Sequence, residues 1–216
     1  MLITRLSIPS VHGQLQALLS SPLIPQARAL VCHLHPGFGG HMHNNTTYRM
    51  AKAWTLAHVA ALRFNFSSVG SQATNTEEGT AELEDAQSAL AFLQTQQPAL
   101  PLLCSGFSFG ARTALALALR EPRIKRVLAV GVGVDFFDMR FVAQLKTPVA
   151  FVHAEKDEFG KLQNLQALAK QVQAPNKLFI VPQASHLFTH HMQSLEEKLA
   201  QAIAWLMACP PPLETA

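Results

Sequence analysis

Three observations in the 216-residue chain predict an α/β fold, with a mostly parallel central sheet, helices on both faces and no large cap domain. Strand-like and helix-like segments alternate along most of the length. The strand-like runs, such as Ala29–His33 and Val149–His153, are almost wholly apolar, as strands covered on both faces are. Only about 15 residues separate the strand ending near Val132 from the one starting at Val149, too few for a multi-helix insertion.

The elements follow in order. Residues 3–8 and 14–19 read as an antiparallel pair of short strands, and Pro22 and Pro25 mark the loop after it. Ala29–His33 is the first buried strand. Tyr48, Ala51, Trp54, Leu56 and Val59 have the apolar spread of a helix over 45–60. Ala61–Phe66 is strand-like, and the polar stretch 67–79 is a flexible loop beside the mouth that could close over a substrate. Thr80–Gln96 is an amphipathic helix, with Leu83, Ala86, Leu90 and Leu93 on one face and Thr80 as a cap. Leu102–Ser105 is a strand and Phe109–Arg120 a helix. Strands over Arg126–Val132, Val149–His153 and Lys177–Val181 follow, with helices over 161–172 and roughly 190–207. One domain is expected over residues 1–216, with 210–216 a loose tail beginning in the Pro210–Pro212 run. At 23.6 kDa, folding buries roughly 70% of the unfolded surface, so neither a disulfide nor a metal is needed for stability.

Composition excludes several classes. Hydrophobic residues are 49% and charged residues 14%, with mean hydropathy +0.14, which is not the signature of a disordered chain. A formal charge of +3, spread without any Lys/Arg run, argues against a nucleic-acid partner. No window is apolar enough for a membrane span, and the N-terminus lacks the pattern of a secretion signal. Cys32, Cys104 and Cys209 are widely spaced and form no CxxC pair. They are expected to be buried free thiols, which points to a reducing cytoplasm. Apolar edges on the first strands could pair two subunits, without a decisive patch.

In an open parallel sheet, ligands bind beyond the carboxyl ends of the strands. The strongest signal there is Gly106-Phe107-Ser108-Phe109-Gly110, between an apolar strand and an Ala/Leu-rich helix. A serine on so sharp a turn has strained backbone angles, and its neighbours must be glycine to leave room. The turn also sets the hydroxyl at a helix N-terminus, which favours developing negative charge. Such a serine needs a base, and the base an orienting acid. Asp157 lies just beyond the Val149–His153 strand and is the chosen acid, ahead of Glu155 and Glu158. Asp135 and Asp138 compete, although Asp138 reads better as a cap for the residues after it. His186, on the loop after the last strand, is the chosen base; His190 and His191 are rivals expected inside the final helix. An oxyanion hole needs two backbone donors. One is assigned to Phe109 and the other to Gly37, with Phe38 second. Phe38 and Phe107 are candidate substrate-binding residues.

The residues His33-Leu34-His35-Pro36-Gly37-Phe38-Gly39-Gly40, Arg63-Phe64-Asn65-Phe66 with Val69-Gly70-Ser71, and Gly106-Phe107-Ser108-Phe109-Gly110 resemble the α/β-hydrolase superfamily. The segments around Asp157 and His186 match as well, and the resemblance covers about residues 3–208. More narrowly, the chain looks like the small bacterial dienelactone-hydrolase-like serine esterases. Relatives commonly carry proline at the position of Leu34 and a larger apolar residue at Gly37. The resemblance implies Ser108 as nucleophile, Asp157 as acid and His186 as base. It implies a serine hydrolase with no cofactor. The short span between Val132 and Val149 leaves the site open and served by loops, which favours a carboxylesterase acting on small or soluble acyl esters.

Two other functions compete. A binding or scaffold protein on the same fold would keep a pocket without turnover. A metal-dependent hydrolase would use the histidines: His33 and His35 would share a strand face, with His41 and His43 close behind. No metal is expected, because no Cys or carboxylate stands beside them. His33 and His35 are expected to pack or hydrogen-bond under the loop, and His41 and His43 to lie exposed near the mouth. His12, His58 and His153 read as ordinary surface or core residues. Arg63 is expected to pair with an acid.

Overall fold

The computed structural model describes residues 1–70 and 79–210; residues 71–78 of the expected 67–79 loop and nearly all of the expected loose tail lie outside them. Eight strands form one sheet in the order β1-β2-β4-β3-β5-β6-β7-β8. β1 (Leu2–Ser10) and β2 (Gly13–Ser21) make the expected antiparallel hairpin, and β2 also pairs antiparallel with β4 (Val59–Phe64). β3 (Ala27–Cys32), β4, β5 (Leu102–Phe107), β6 (Ile124–Val130), β7 (Val149–Ala154) and β8 (Asn176–Val181) run parallel. Every residue of β3, β4, β5 and β7 is buried, because helices cover both faces.

α1 (Asn45–Leu56) and α5 (Met192–Ala208) cover one face, burying Trp54, Met50, Leu195, Leu199 and Ile203 against the sheet. α2 (Thr80–Gln96), α3 (Phe109–Arg120) and α4 (Leu162–Ala169) cover the other with Leu90, Leu93, Leu115 and Leu165. α2 starts at Thr80 without a side-chain cap, after Gly79 in a left-handed turn. Its other end is closed by the buried Arg28, whose guanidinium donates to the carbonyls of Leu93 and Gln94 at 2.8 and 2.7 Å. Such donors satisfy the orphan carbonyls of a helix end and complement its dipole.

The boundary between α1 and β4 differs from the expected one. The helix stops at Leu56, and His58 (φ 59°) turns the chain so that β4 begins at Val59. Val59 and Ala60 are apolar and fit either period, so the pattern ran on past the helix end. β3 likewise stops at Cys32, which removes His33 and His35 from a common strand face. Arg63 donates to the Met42 carbonyl at 3.0 Å and lies over the Tyr48 ring at 5.3 Å, and among the described residues it forms no ion pair with an acid.

Between β6 and β7 there is no cap, only a loop with Phe136, Phe137 and a short 3-10 turn over Arg140–Gln144. No helix of the described residues is long and apolar enough to cross a membrane. Cys32, Cys104 and Cys209 are free and buried.

Candidate active site

Ser108 sits between β5 and α3 with φ 56° and ψ −116°, angles that L-residues rarely adopt. Its N–H donates to the Val130 carbonyl at 2.9 Å, which ties the turn to β6. Both flanking glycines are required by close approach. A Cβ on Gly106 would run into the Gly110 carbonyl, and one on Gly110 into the Cys32 and His33 carbonyls. Behind the turn, Ser105 Oγ–H donates to the Leu30 carbonyl at 3.0 Å and accepts from Trp54 Nε1–H at 3.1 Å.

Two further loops meet Ser108. After β7, Asp157 Oδ1 accepts the N–H groups of Phe159 and Gly160 at 2.9 and 3.1 Å. After β8, His186 Nδ1–H donates to Asp157 at 2.8 and 2.9 Å, leaving Nε2 to accept from the Ser108 hydroxyl at 2.9 Å. The carboxylate thereby selects the tautomer with a free lone pair facing the serine. The loops are stitched together: Glu155 accepts the Gln183 N–H at 2.7 Å, and Glu158 the His186 N–H at 3.1 Å.

The rival residues lie elsewhere. Asp135 accepts the Lys161 N–H at 2.7 Å and an Asn164 amide N–H at 2.6 Å at the start of α4, and the Lys161 bond pulls its carboxyl below its ordinary pKa. Asp138 accepts the Arg140 N–H at 3.0 Å, close to the capping role expected of it. His190 and His191 precede α5 instead of lying within it.

The loop after β3 requires a correction. Gly37 N–H donates to His35 Nδ1 at 3.0 Å and Phe38 N–H to the His35 carbonyl at 3.0 Å, closing a 3-10 turn over Pro36–Phe38. Neither expected donor is therefore free. Just upstream, the N–H groups of Leu34 and His35 have no acceptor among the described residues, and both residues line the cavity with Ser108. Phe109 N–H, at the first position of α3, has no intrahelical acceptor.

His33 lies under this loop with both ring nitrogens engaged. Nδ1–H donates to the Leu34 carbonyl at 2.6 Å, and Nε2 accepts the Phe66 N–H at 3.2 Å. Burial lowers its pKa to about 4, which keeps it neutral, and its one ring lone pair is already taken by the Phe66 N–H. Among the described residues no three His, Cys, Asp or Glu side chains gather where they could hold a metal ion. His153 is fully buried, and its Nε2–H donates to the Gly160 carbonyl at 2.6 Å behind Asp157. Burial lowers its pKa too.

The cavity in front of Ser108 has a volume of about 350 Å³. Phe38 lines it as expected, but Phe107 does not. Phe107 is fully buried at the end of β5, where side chains alternate across the sheet, and its ring stacks on His186 with centroids 5.3 Å apart. The lining that the sequence reading missed is Phe136, Phe137, Phe159 and Leu187. Their signal was position alone: each sits on a loop beyond the carboxyl end of β6, β7 or β8.

Comparison with known proteins agrees with this architecture. Residues 26–208 match the model of a family described as "Alpha/beta hydrolase domain". An uncharacterized protein of Rickettsia prowazekii is 31% identical over 166 residues, covering 74% of this chain and 70% of that one. Among solved structures, an alpha-beta serine hydrolase homologue from Coxiella burnetii superposes with a TM-score of 0.83 at 26% identity, over 92% of this chain and 96% of that one. A serine hydrolase without lid from Xanthomonas campestris superposes with a TM-score of 0.85 at 25% identity, over 96% and 97% of the two chains. The family match spans β3 to α5, the segment that carries every residue now gathered around the cavity, and by it this chain belongs to the alpha/beta hydrolase family.

Proposed function

We propose that the chain is a serine hydrolase that cleaves carboxylic esters. The observation that carries this reading is the hydrogen-bonded series Ser108–His186–Asp157, at 2.9 and 2.8 Å, opening on an apolar cavity. Ser108 Oγ attacks the ester carbonyl while His186 Nε2 takes its proton. Asp157 holds the imidazole and stabilises its charged form. The carbonyl oxygen becomes an oxyanion, which needs two aligned N–H donors.

Phe109 supplies one donor. His35 supplies the other, with Leu34 second: a proline at position 34, as in the resembling esterases, has no N–H to offer. His186 then protonates the departing alkoxide. Water, activated by the same imidazole, cleaves the acyl–Oγ bond and releases the carboxylic acid. The absence of a cap between β6 and β7 suits small or soluble esters, and three free buried cysteines suit a reducing cytoplasm.

The test is intact-mass analysis after treatment with a fluorophosphonate. One adduct per chain on the wild type, absent from Ser108→Ala, is the expected result. A folded wild type that takes no adduct and hydrolyses no ester refutes the reading and favours a binding protein.

A further inference from the structure

The three phenylalanines left exposed among the described residues all line the cavity, and so does the exposed Leu187. Phe38, Phe136, Phe159 and Leu187 are 63, 57, 37 and 47% exposed, and all four line it beside Ser108. A contiguous apolar surface of this kind marks a binding site rather than chance exposure. The rings form an arc. Phe38 meets Phe136 at 6.2 Å, and Phe136 meets Phe137 at 5.1 Å and Phe159 at 6.1 Å, all nearly edge to face. One end of the arc rests on His35 and the other on His186.

The chemistry divides the arc. His186 Nε2 must face the oxygen that leaves, because it gives that oxygen a proton. The alcohol portion therefore lies on the His186 side, with Phe159, Leu187 and Glu158. The acyl portion lies on the other side, against Phe38, Phe136 and Phe137. The volume of about 350 Å³ leaves ample room for a phenyl ring, since a dry cavity of about 150 Å³ holds benzene. No Lys or Arg is among the described lining residues, so no permanent cation there would pair with an acyl carboxylate. Glu158, held by the His186 N–H, sets a carboxylate on the alcohol side.

Resting on the hydrolase reading above, we propose that this site takes esters of uncharged acyl groups of aryl size, made with alcohols that carry no negative charge. The products are one carboxylic acid and one alcohol, with water as the only co-reactant.

The experiment measures kcat/KM of the full chain on ethyl acetate and on the 3-phenylpropanoyl esters of ethanol, glycolate and choline. Fluorophosphonate labelling is run in parallel. The phenylpropanoyl-to-acetyl ratio is expected to be at least about tenfold and to collapse in Phe136→Ala, an exposed position whose truncation spares the core. The anionic glycolate ester is expected to be about fivefold poorer than the ethyl ester, the choline ester no poorer, and the glycolate gap to close in Glu158→Gln. Stoichiometric labelling of Ser108 with equal kcat/KM for both acyl groups, or with a preference untouched by Phe136→Ala, overturns the substrate class and leaves the hydrolase reading intact. No labelling and no turnover of any ester overturns both.

Discussion

Both carboxylate oxygens of Asp157 lie within 2.9 Å of His186 Nδ1, in a pair that is 4% and 3% exposed. The same carboxylate is fixed from behind by the Phe159 and Gly160 amides, and His153 anchors the Gly160 carbonyl. The acid is thus held by backbone, and its remaining freedom goes to orienting the imidazole.

Asp157→Asn preserves this geometry but can present an N–H to Nδ1, favouring the tautomer whose proton sits on Nε2. The expected loss is about 10⁴-fold in kcat, with an unchanged circular dichroism spectrum. A loss below about tenfold would mean that the pair is structural only.

The second oxyanion donor is testable by proline scanning. His35 has φ −55°, which proline adopts without strain. His35→Pro deletes the N–H and is expected to lower kcat about 10²–10³-fold. His35→Ala, which keeps the amide, and Leu34→Pro are expected to cost far less. A larger loss in Leu34→Pro than in His35→Pro would transfer the role to Leu34.

Stability is expected to fall on mild acidification because of His33. Its folded pKa, about 4, lies below the unfolded value of 6.5, so the unfolded chain binds the proton first. The contribution is complete above about pH 6.5 and lost progressively as pH falls towards 4. Between pH 7.5 and 5 it amounts to about 2 kcal/mol. His153 shifts in the same direction. Comparing urea unfolding of wild type and His33→Asn at the two pH values isolates the His33 share, and a parallel pH dependence in the two proteins would refute it.

Gly110→Ala should destabilise by more than about 3 kcal/mol, since the added methyl meets the backbone carbonyls of Cys32 and His33, which cannot rotate away. Gly39→Ala is the contrast. Its φ of 75° strains any side chain, but no atom lies within 4 Å, so about 1 kcal/mol is expected. Chemical unfolding distinguishes the two.

The alternation of apolar runs with 3.6-residue patterns was enough to read the strands, the helices and the parallel sheet, because burial on both faces leaves a strand no polar positions. Ser108, Asp157 and His186 were legible because each follows a strand, and parallel strands end on one side of the sheet. Boundaries at Leu56 and Cys32 were not, since a turn such as that at His58 depends on local backbone angles that an apolar residue pattern does not encode. Which amides stay free beside Ser108 was decided by the fold of one short loop, where His35 captures the Gly37 and Phe38 N–H groups. Phe107 and Phe136 look alike in sequence. One is buried and stacks on His186, the other lines the cavity, and only the packing of β5 and of the loop after β6 in three dimensions separates them.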